Sequence, residues 1–164
     1  MQFVILQIQE SDIKKILDIQ TECHLSGWTT EEYREEFKKE NSIMLAAKFK
    51  GETVGFLSAR LSKAVSISEE PKDFAELDIL NFGVAKKYQK QGIGRLLLEN
   101  LINKIAGMNV KSVWLEVRES NVNAINFYKK KGFLEIQIRK NFYRQPLENA
   151  ILMKLDLQTL PSKF

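Results

Sequence analysis

The chain has 164 residues, one cysteine and one histidine, and its 25 Lys and Arg against 21 Asp and Glu leave a net charge of +4. That length suits one domain over residues 1–164, and burying roughly 70% of the unfolded surface lets the 44% of apolar residues build a core without cross-links. A lone Cys23 excludes an internal disulfide and a multi-cysteine zinc site, and a single imidazole, His24, is too little for a His-rich metal centre, so no metal is expected. Residues 1–10 lack the basic start and long apolar run of a signal peptide, and no window approaches a membrane span. The expectation is a soluble, cytoplasmic protein with no membrane partner.

The first segment, residues 3–8, is rich in strand formers. It is followed by Ser11 as a candidate cap for a helix carrying Ile13, Ile16 and Leu17. Thr29 and Glu32 have capping-box spacing, and Tyr33 with Phe37 gives the second helix its apolar stripe. The acidic run 31–40 on that helix reads as a solvated face. Residues 43–49 and 53–61 are strand-like runs around Lys50-Gly51-Glu52, the pattern of an antiparallel hairpin.

Residues 62–73 are polar, hold Pro71 and read as a long loop. The apolar strand 75–84 ends in Asn81-Phe82-Gly83-Val84, where a glycine marks a bulge or the close approach of a backbone or ligand. Next come a glycine loop and a helix with Leu96, Leu97, Leu98, Leu101, Ile102 and Ile105 at helical spacing. A strand at 112–117, a helix at 123–131 closed by Gly132, and strands at 133–138 and 150–157 complete the series. The order β-α-α-β-β-β-α-β-α-β-β predicts one α/β layered domain with a mixed sheet.

Charge is distributed unevenly along this series. Residues 1–85 carry 10 basic and 15 acidic side chains and residues 86–164 carry 15 and 6, so the second half is strongly basic and points to an anionic partner. In Gln89-Lys90-Gln91-Gly92-Ile93-Gly94 two glycines sit where a helix begins, leaving backbone N–H groups to face phosphate oxygens. Lys86, Lys87, Lys90 and Arg95 add charge nearby. The Gly-Lys-Ser/Thr ending of a P-loop is absent, and Leu97 occupies the third-glycine position of a dinucleotide fingerprint.

Gln89-x-x-Gly92-x-Gly94 after an apolar strand resembles the acetyl-CoA pyrophosphate loop of the GNAT acetyltransferase superfamily. The segments Trp114-Leu115-Glu116-Val117-Arg118-Glu119-Ser120-Asn121, Asn126-Phe127-Tyr128-Lys129-Lys130-Lys131-Gly132-Phe133 and Ile138-Arg139-Lys140-Asn141-Phe142-Tyr143 resemble the ribosomal-protein-alanine N-acetyltransferases (RimI-like) in order and spacing. The resemblance covers residues 79–155 most strongly. It implies a single-domain GNAT-like fold, a mixed, largely antiparallel twisted sheet flanked by helices, with acetyl-CoA as cosubstrate.

By that resemblance the backbone of Phe82, Gly83 and Val84 pairs with the pantetheine arm. Gln89, Lys90, Gln91, Gly92, Ile93, Gly94 and Arg95 hold the pyrophosphate, and Asn121 and Tyr128 bind near the reacting end. Amine acetylation needs a base for the attacking ammonium and an acid for the departing thiolate. The resemblance gives Glu116 the first role and Tyr128 the second. Partial burial in an apolar strand is expected to raise the Glu116 pKa. Glu76 and Asp78, on the strand before the glycine loop, are rival bases. Cys23 and His24 point apart on a helix and read as a packed thiol and a surface imidazole.

Trp28, Asn141 and Tyr143 fall in loops that the resemblance places around the amine entrance, although a tryptophan after glycine equally suits a core anchor. The implied acceptor is a protein N-terminal α-amino group, as in a ribosomal protein. A small-molecule amine, a polyamine or a lysine side chain is the alternative, and a non-catalytic acyl-CoA- or RNA-binding module lies further off. No RNA-binding signature with interleaved aromatics is present, so direct nucleic-acid binding is not expected.

Overall fold

The structure is a computed structural model that describes residues 2–25, 27–63 and 74–159. Seven strands, β1 (Val4–Gln7), β2 (Ser42–Phe49), β3 (Glu52–Lys63), β4 (Ala75–Val84), β5 (Val110–Arg118), β6 (Leu134–Arg144) and β7 (Leu147–Asp156), lie in the order β1-β2-β3-β4-β5-β7-β6. The pairs β1–β2, β2–β3, β5–β7 and β6–β7 are antiparallel and β4–β5 is parallel, so the sheet is mixed as expected. Among the described residues four α-helices accompany it: α1 (Ile13–Glu22), α2 (Thr30–Phe37), α3 (Ile93–Ile105) and α4 (Val122–Lys130). Two compact units share β4, residues 1–61 with 80–106 and residues 62–79 with 107–164.

In the first unit the hairpin turns on Lys50 and Gly51, both left-handed (φ 49° and 84°), which is the two-residue geometry that matches strand twist. The capping box forms as spaced: the Glu32 amide donates to Thr29 Oγ1 at 3.2 Å, and the Thr29 amide to Glu32 Oε2 at 2.7 Å. Ser11, by contrast, does not cap α1. The chain enters that helix through a short 3-10 turn, Glu10–Asp12, whose leading Gln9 amide donates to Asp12 Oδ2 at 2.9 Å, and Ser11 is exposed. The other Asp12 oxygen accepts from Lys48 Nζ at 2.7 Å and Thr53 Oγ1 at 2.8 Å, partners no local pattern reveals, and the Asp12 side chain makes no cap hydrogen bond to α1.

The acidic face of α2 also departs from expectation at Glu36. It is buried and ion-paired with Arg60 and Lys39, while Glu31, Glu32 and Glu35 are exposed.

Ile13, Ile16, Ile19, Tyr33, Met44, Ala46 and Phe56 form the core beside α1, and Ile93, Leu97, Leu98, Leu101 and Ile105 bury the apolar stripe of α3. Gly83 belongs to this packing. A Cβ there would meet Leu25 Cδ1 at 2.8 Å, Ile19 Cγ2 at 3.1 Å and Phe56 Cε1 at 3.2 Å, so the close approach is made by side chains. In the second unit Val113, Leu115, Val117, Ile125, Phe133, Ile151, Met153 and Leu155 are buried. Ser62 and Lys63 continue β3, and the remainder of the expected 62–73 loop lies outside the described residues.

Burial pushes the Asp12 carboxyl up, but hydrogen bonds from Lys48, the Gln9 amide and Thr53 outweigh it and hold the group below its ordinary value. Its contribution to stability is therefore complete above the unfolded value of about 4 and is lost as pH falls through the lower folded one. Asp12→Asn is expected to cost on the order of 3 kcal/mol at pH 7, since it strands Lys48 without its buried counter-charge. Chemical denaturation of both proteins across pH 2 to 7 measures this, with the difference between them shrinking at the acid end. Gly83→Ala is expected to cost roughly 1 to 3 kcal/mol by overpacking, read as a lower denaturation midpoint with an unchanged slope.

Candidate active site

The first unit supplies a turn suited to a polyanion. After β4 a 3-10 turn, Lys86–Tyr88, leads into Lys90 (φ 59°) and Gly92 (φ 85°), both left-handed, and α3 starts at Ile93. Nothing lies within 4 Å of a Cβ built on Gly92, so glycine is required for its backbone angle and not for space. The first helical hydrogen bond runs from the Leu96 amide to the Gly92 carbonyl at 3.0 Å, and no side chain caps the helix. The amides of Ile93, Gly94 and Arg95 thus have no intrahelical acceptor and form the positive end of the helix dipole.

Gln89 and Gln91 brace this turn. Gln89 Nε2 donates to the Val84 carbonyl at 3.0 Å, and Gln91 Nε2 to the Lys87 carbonyl at 3.1 Å. The Ile93 side chain is buried, so that residue offers only its amide, while Arg95 is exposed 3.7 Å from Glu99. The Val84 carbonyl also accepts from Cys23 Sγ at 3.2 Å. Burial and Glu22 push the Cys23 thiol up, and His24 is exposed, as read from the sequence. Trp28 is half-buried, its ring 5.1 Å from Tyr33 and its carbonyl accepting from Gln20 Nε2 at 2.8 Å, which is the setting of a core anchor.

The second unit gathers ionisable groups on β5, α4 and the β6–β7 hairpin. Glu116 alternates with buried Leu115 and Val117, and its carboxylate accepts from Arg139 Nη1, a partner the sequence did not reveal. Tyr143 donates from its hydroxyl to the Glu116 carbonyl at 3.4 Å. Tyr128 is buried in α4 with its ring 5.3 Å from Phe127 and 5.4 Å from Phe133. Burial, with the Tyr143 phenol adding to it, holds its hydroxyl well above the ordinary value. Tyr143 is pushed up to about 12, by burial first and then by Glu116. Both phenols are therefore protonated at neutral pH and act as donors.

Asn141 and Tyr143 lie within strand β6, not in loops. Asn141 adopts φ 53° in an irregularity between Arg139 and Tyr143, where its amide donates to Asn149 Oδ1 at 3.0 Å, and the strand then resumes. Asparagine tolerates this left-handed angle, so the strand survives what reads as a break. Asn121 is the N-cap of α4, its Oδ1 accepting from the Ala124 amide at 3.2 Å. On β4, Glu76 accepts from Ser112 Oγ at 3.1 Å and Asp78 from Ser62 Oγ at 3.2 Å.

The sequence reading passed over Arg118 and Glu148. Arg118 Nη1 donates to Glu148 Oε2 at 3.2 Å. Its position two residues after Glu116 on a strand, hence on the same face, was the available signal. Among the described residues no group of three or more His, Cys, Asp or Glu is placed to hold a metal, and no helix is long and apolar enough to cross a membrane.

The family model for the acetyltransferase (GNAT) family matches residues 13–133. The [ribosomal protein bS18]-alanine N-acetyltransferase of Haemophilus influenzae is 33% identical over 153 residues, covering 92% of this chain and 96% of that protein. Its Escherichia coli counterpart is 44% identical over 84 residues, 50% of this chain and 57% of that one. Among solved structures, the ribosomal-protein-S18-alanine N-acetyltransferase of Escherichia coli aligns over 99% of both chains with a TM-score of 0.78 at 28% identity. Ard1 of Thermoplasma volcanium aligns over 95% of this chain and 98% of its own with a TM-score of 0.80 at 25% identity. With the family pattern running from α1 to the end of α4, and a relative one-third identical along nearly its whole length, the chain belongs to the GNAT acetyltransferase family.

Proposed function

We propose that the whole chain acts as one acetyltransferase domain that moves acetyl from acetyl-CoA to the N-terminal α-amino group of a protein, with a ribosomal protein as the acceptor class. The observation that carries this reading is the near full-length similarity to an enzyme named for acetylating the alanine of bS18. The proposed setting is the cytoplasm, where Cys23 stays a free thiol, with no membrane or direct nucleic-acid partner.

The uncapped start of α3 fits the pyrophosphate of acetyl-CoA, since free amides, a helix dipole and basic side chains converge on one turn. Its ligands would be the amides of Ile93, Gly94 and Arg95, with charge from Lys86, Lys87, Lys90 and Arg95. The edge of β4 at Phe82, Gly83 and Val84 would align the pantetheine arm. The Val84 carbonyl is already engaged, so that residue would contribute its amide. When bound, acetyl-CoA supplies an activated thioester whose carbonyl carbon accepts the amine and whose thiolate departs.

Glu116 would take the proton from the attacking ammonium, directly or through water, once Arg139 yields the carboxylate. Tyr128 would give its phenolic proton to the thiolate, a role that needs the group protonated beforehand, as burial keeps it. Asn141 and Tyr143 remain the proposed acceptor contacts. Asn121 would act by fixing the start of the helix that carries Tyr128.

Tyr128→Phe is expected to lower kcat by about 100-fold while leaving acetyl-CoA affinity intact. Calorimetry and steady-state rates on the same preparation decide it, and an unchanged kcat removes Tyr128 as acid. Because Tyr128 is held above its ordinary value of about 10, the parent's rate should show no falling limb from this group below that pH. Glu116→Gln is expected to slow turnover most at low pH, with the defect shrinking above about pH 8, where an α-amino group is already free. A pH profile parallel to the parent's excludes Glu116 as base.

A further inference from the structure

Every residue of β6 is exposed except Tyr143, and its pairing with β7 shifts register between Arg139 and Tyr143 before resuming as Tyr143 with Glu148 and Arg144 with Leu147. Arg118 adds a second hold on this end, independent of the ladder. From β5 its guanidinium stacks on the Tyr143 ring at 4.1 Å, Nη2 donates to the Gln145 carbonyl at 3.1 Å, and Nη1 donates to Glu148. One side chain therefore grips the outgoing strand, the turn and the returning strand.

Glu148 is fixed in its own right. Its Oε1 accepts from the Ser120 amide at 2.6 Å, and hydrogen bonding to Ser120, with Arg118 behind it, holds its carboxyl below the usual range. Arg118 and Glu148 are 18% and 15% exposed as side chains, so the pair is shielded enough for its geometry to be held. The groups around Tyr143 are Glu116, whose carbonyl accepts its hydroxyl, Arg118 on its ring face, the Phe142 ring at 5.1 Å, and Tyr128 and Glu148, which act on it electrostatically. Glu116 and Tyr128 are the residues assigned the proton transfers above.

We infer that Arg118, oriented by Glu148, is a positioning residue for the acceptor amine: it presses the Tyr143 phenol into a fixed place beside Glu116 and Tyr128. The inference rests on the roles proposed for those residues. Lysine cannot replace arginine here, since it has neither a flat face to stack nor a fork to span Gln145 and Glu148. Charge alone does not perform the task.

The test compares the parent with Arg118→Lys and Glu148→Gln, using acetyl-CoA and a synthetic peptide with the N-terminal residues of bS18. Fluorotyrosine labelling, with Tyr143→Phe to assign the resonance, reports the ring's position independently of turnover. Arg118→Lys is expected to raise the peptide KM about tenfold, with acetyl-CoA affinity within about twofold of the parent, and to move the Tyr143 resonance. Glu148→Gln should shift both quantities in the same direction by less. An unmoved resonance, an unchanged peptide KM, or equal losses for peptide, acetyl-CoA and melting temperature would each overturn the inference. A parent chain that leaves the peptide unmodified overturns both the acceptor reading and this role in it; a resonance that still shifts then leaves Arg118 as a packing residue alone.

Discussion

A left-handed backbone at Gly92 lets the chain turn from β4 into α3 without a capping side chain, and the first unit's fitness for a polyanion depends on that constraint. A serine or aspartate at the N-cap would spend its oxygen on the second or third amide and stabilise the helix by about 1 kcal/mol. Glycine forgoes that and leaves the amides to a ligand. The lost stability is offset inside the helix, where five apolar residues of α3 are buried. Gln89 and Gln91 satisfy main-chain carbonyls along the turn, so donors and acceptors are sorted: carbonyls meet side chains and amides stay open.

The same sorting applies to charge. Asp12 and Glu36 carry the acidic first half into the core, each with a basic partner, so those carboxylates hold elements together. Three basic side chains of the second half pair with carboxylates within it, Arg118 with Glu148, Lys129 with Glu135 and Arg139 with Glu116. Lys86, Lys87 and Lys90 flank the turn with the open amides. With 15 basic against 6 acidic side chains the half-chain stays strongly positive, and part of that excess lies at this turn.

Local geometry was legible in the sequence wherever a residue type answers to its nearest neighbours. Gly51 in the hairpin, the Thr29 and Glu32 box, Gly132 after α4 and the limits of β4 are cases where the deciding contacts lie within a few residues. Ser11 is no cap because a 3-10 turn precedes α1, and the Asp12 that ends that turn is tied to Lys48 and Thr53, 36 and 41 residues away. Asn141 and Tyr143 failed because a strand can absorb a left-handed asparagine when a partner, here Asn149, accepts its amide. At Gly83 the strand pattern suggests a bulge or the approach of a backbone or ligand, whereas in the fold the side chains of Leu25, Ile19 and Phe56 do the approaching. At the site, the family resemblance singled out Glu116 and Tyr128, but nothing within one segment pairs Glu116 with Arg139.

Burial divides the two groups proposed for proton transfer in a way that suits their tasks. Tyr128 is 7% exposed, and removing a phenol from water makes its ionised form costly, so the group keeps its proton at neutral pH and would meet the thiolate as a donor. The Glu116 side chain is 26% exposed. A base that must discard a proton after every turnover needs solvent or a relay within reach, which a fully buried carboxylate lacks. Arg139 on that carboxylate adds a second requirement, because a guanidinium and an incoming ammonium compete for the same oxygens. On the role proposed for Glu116, an acceptor amine would have to displace Arg139 from the carboxylate, so the geometry of the amine as well as its charge would bear on which acceptors engage it.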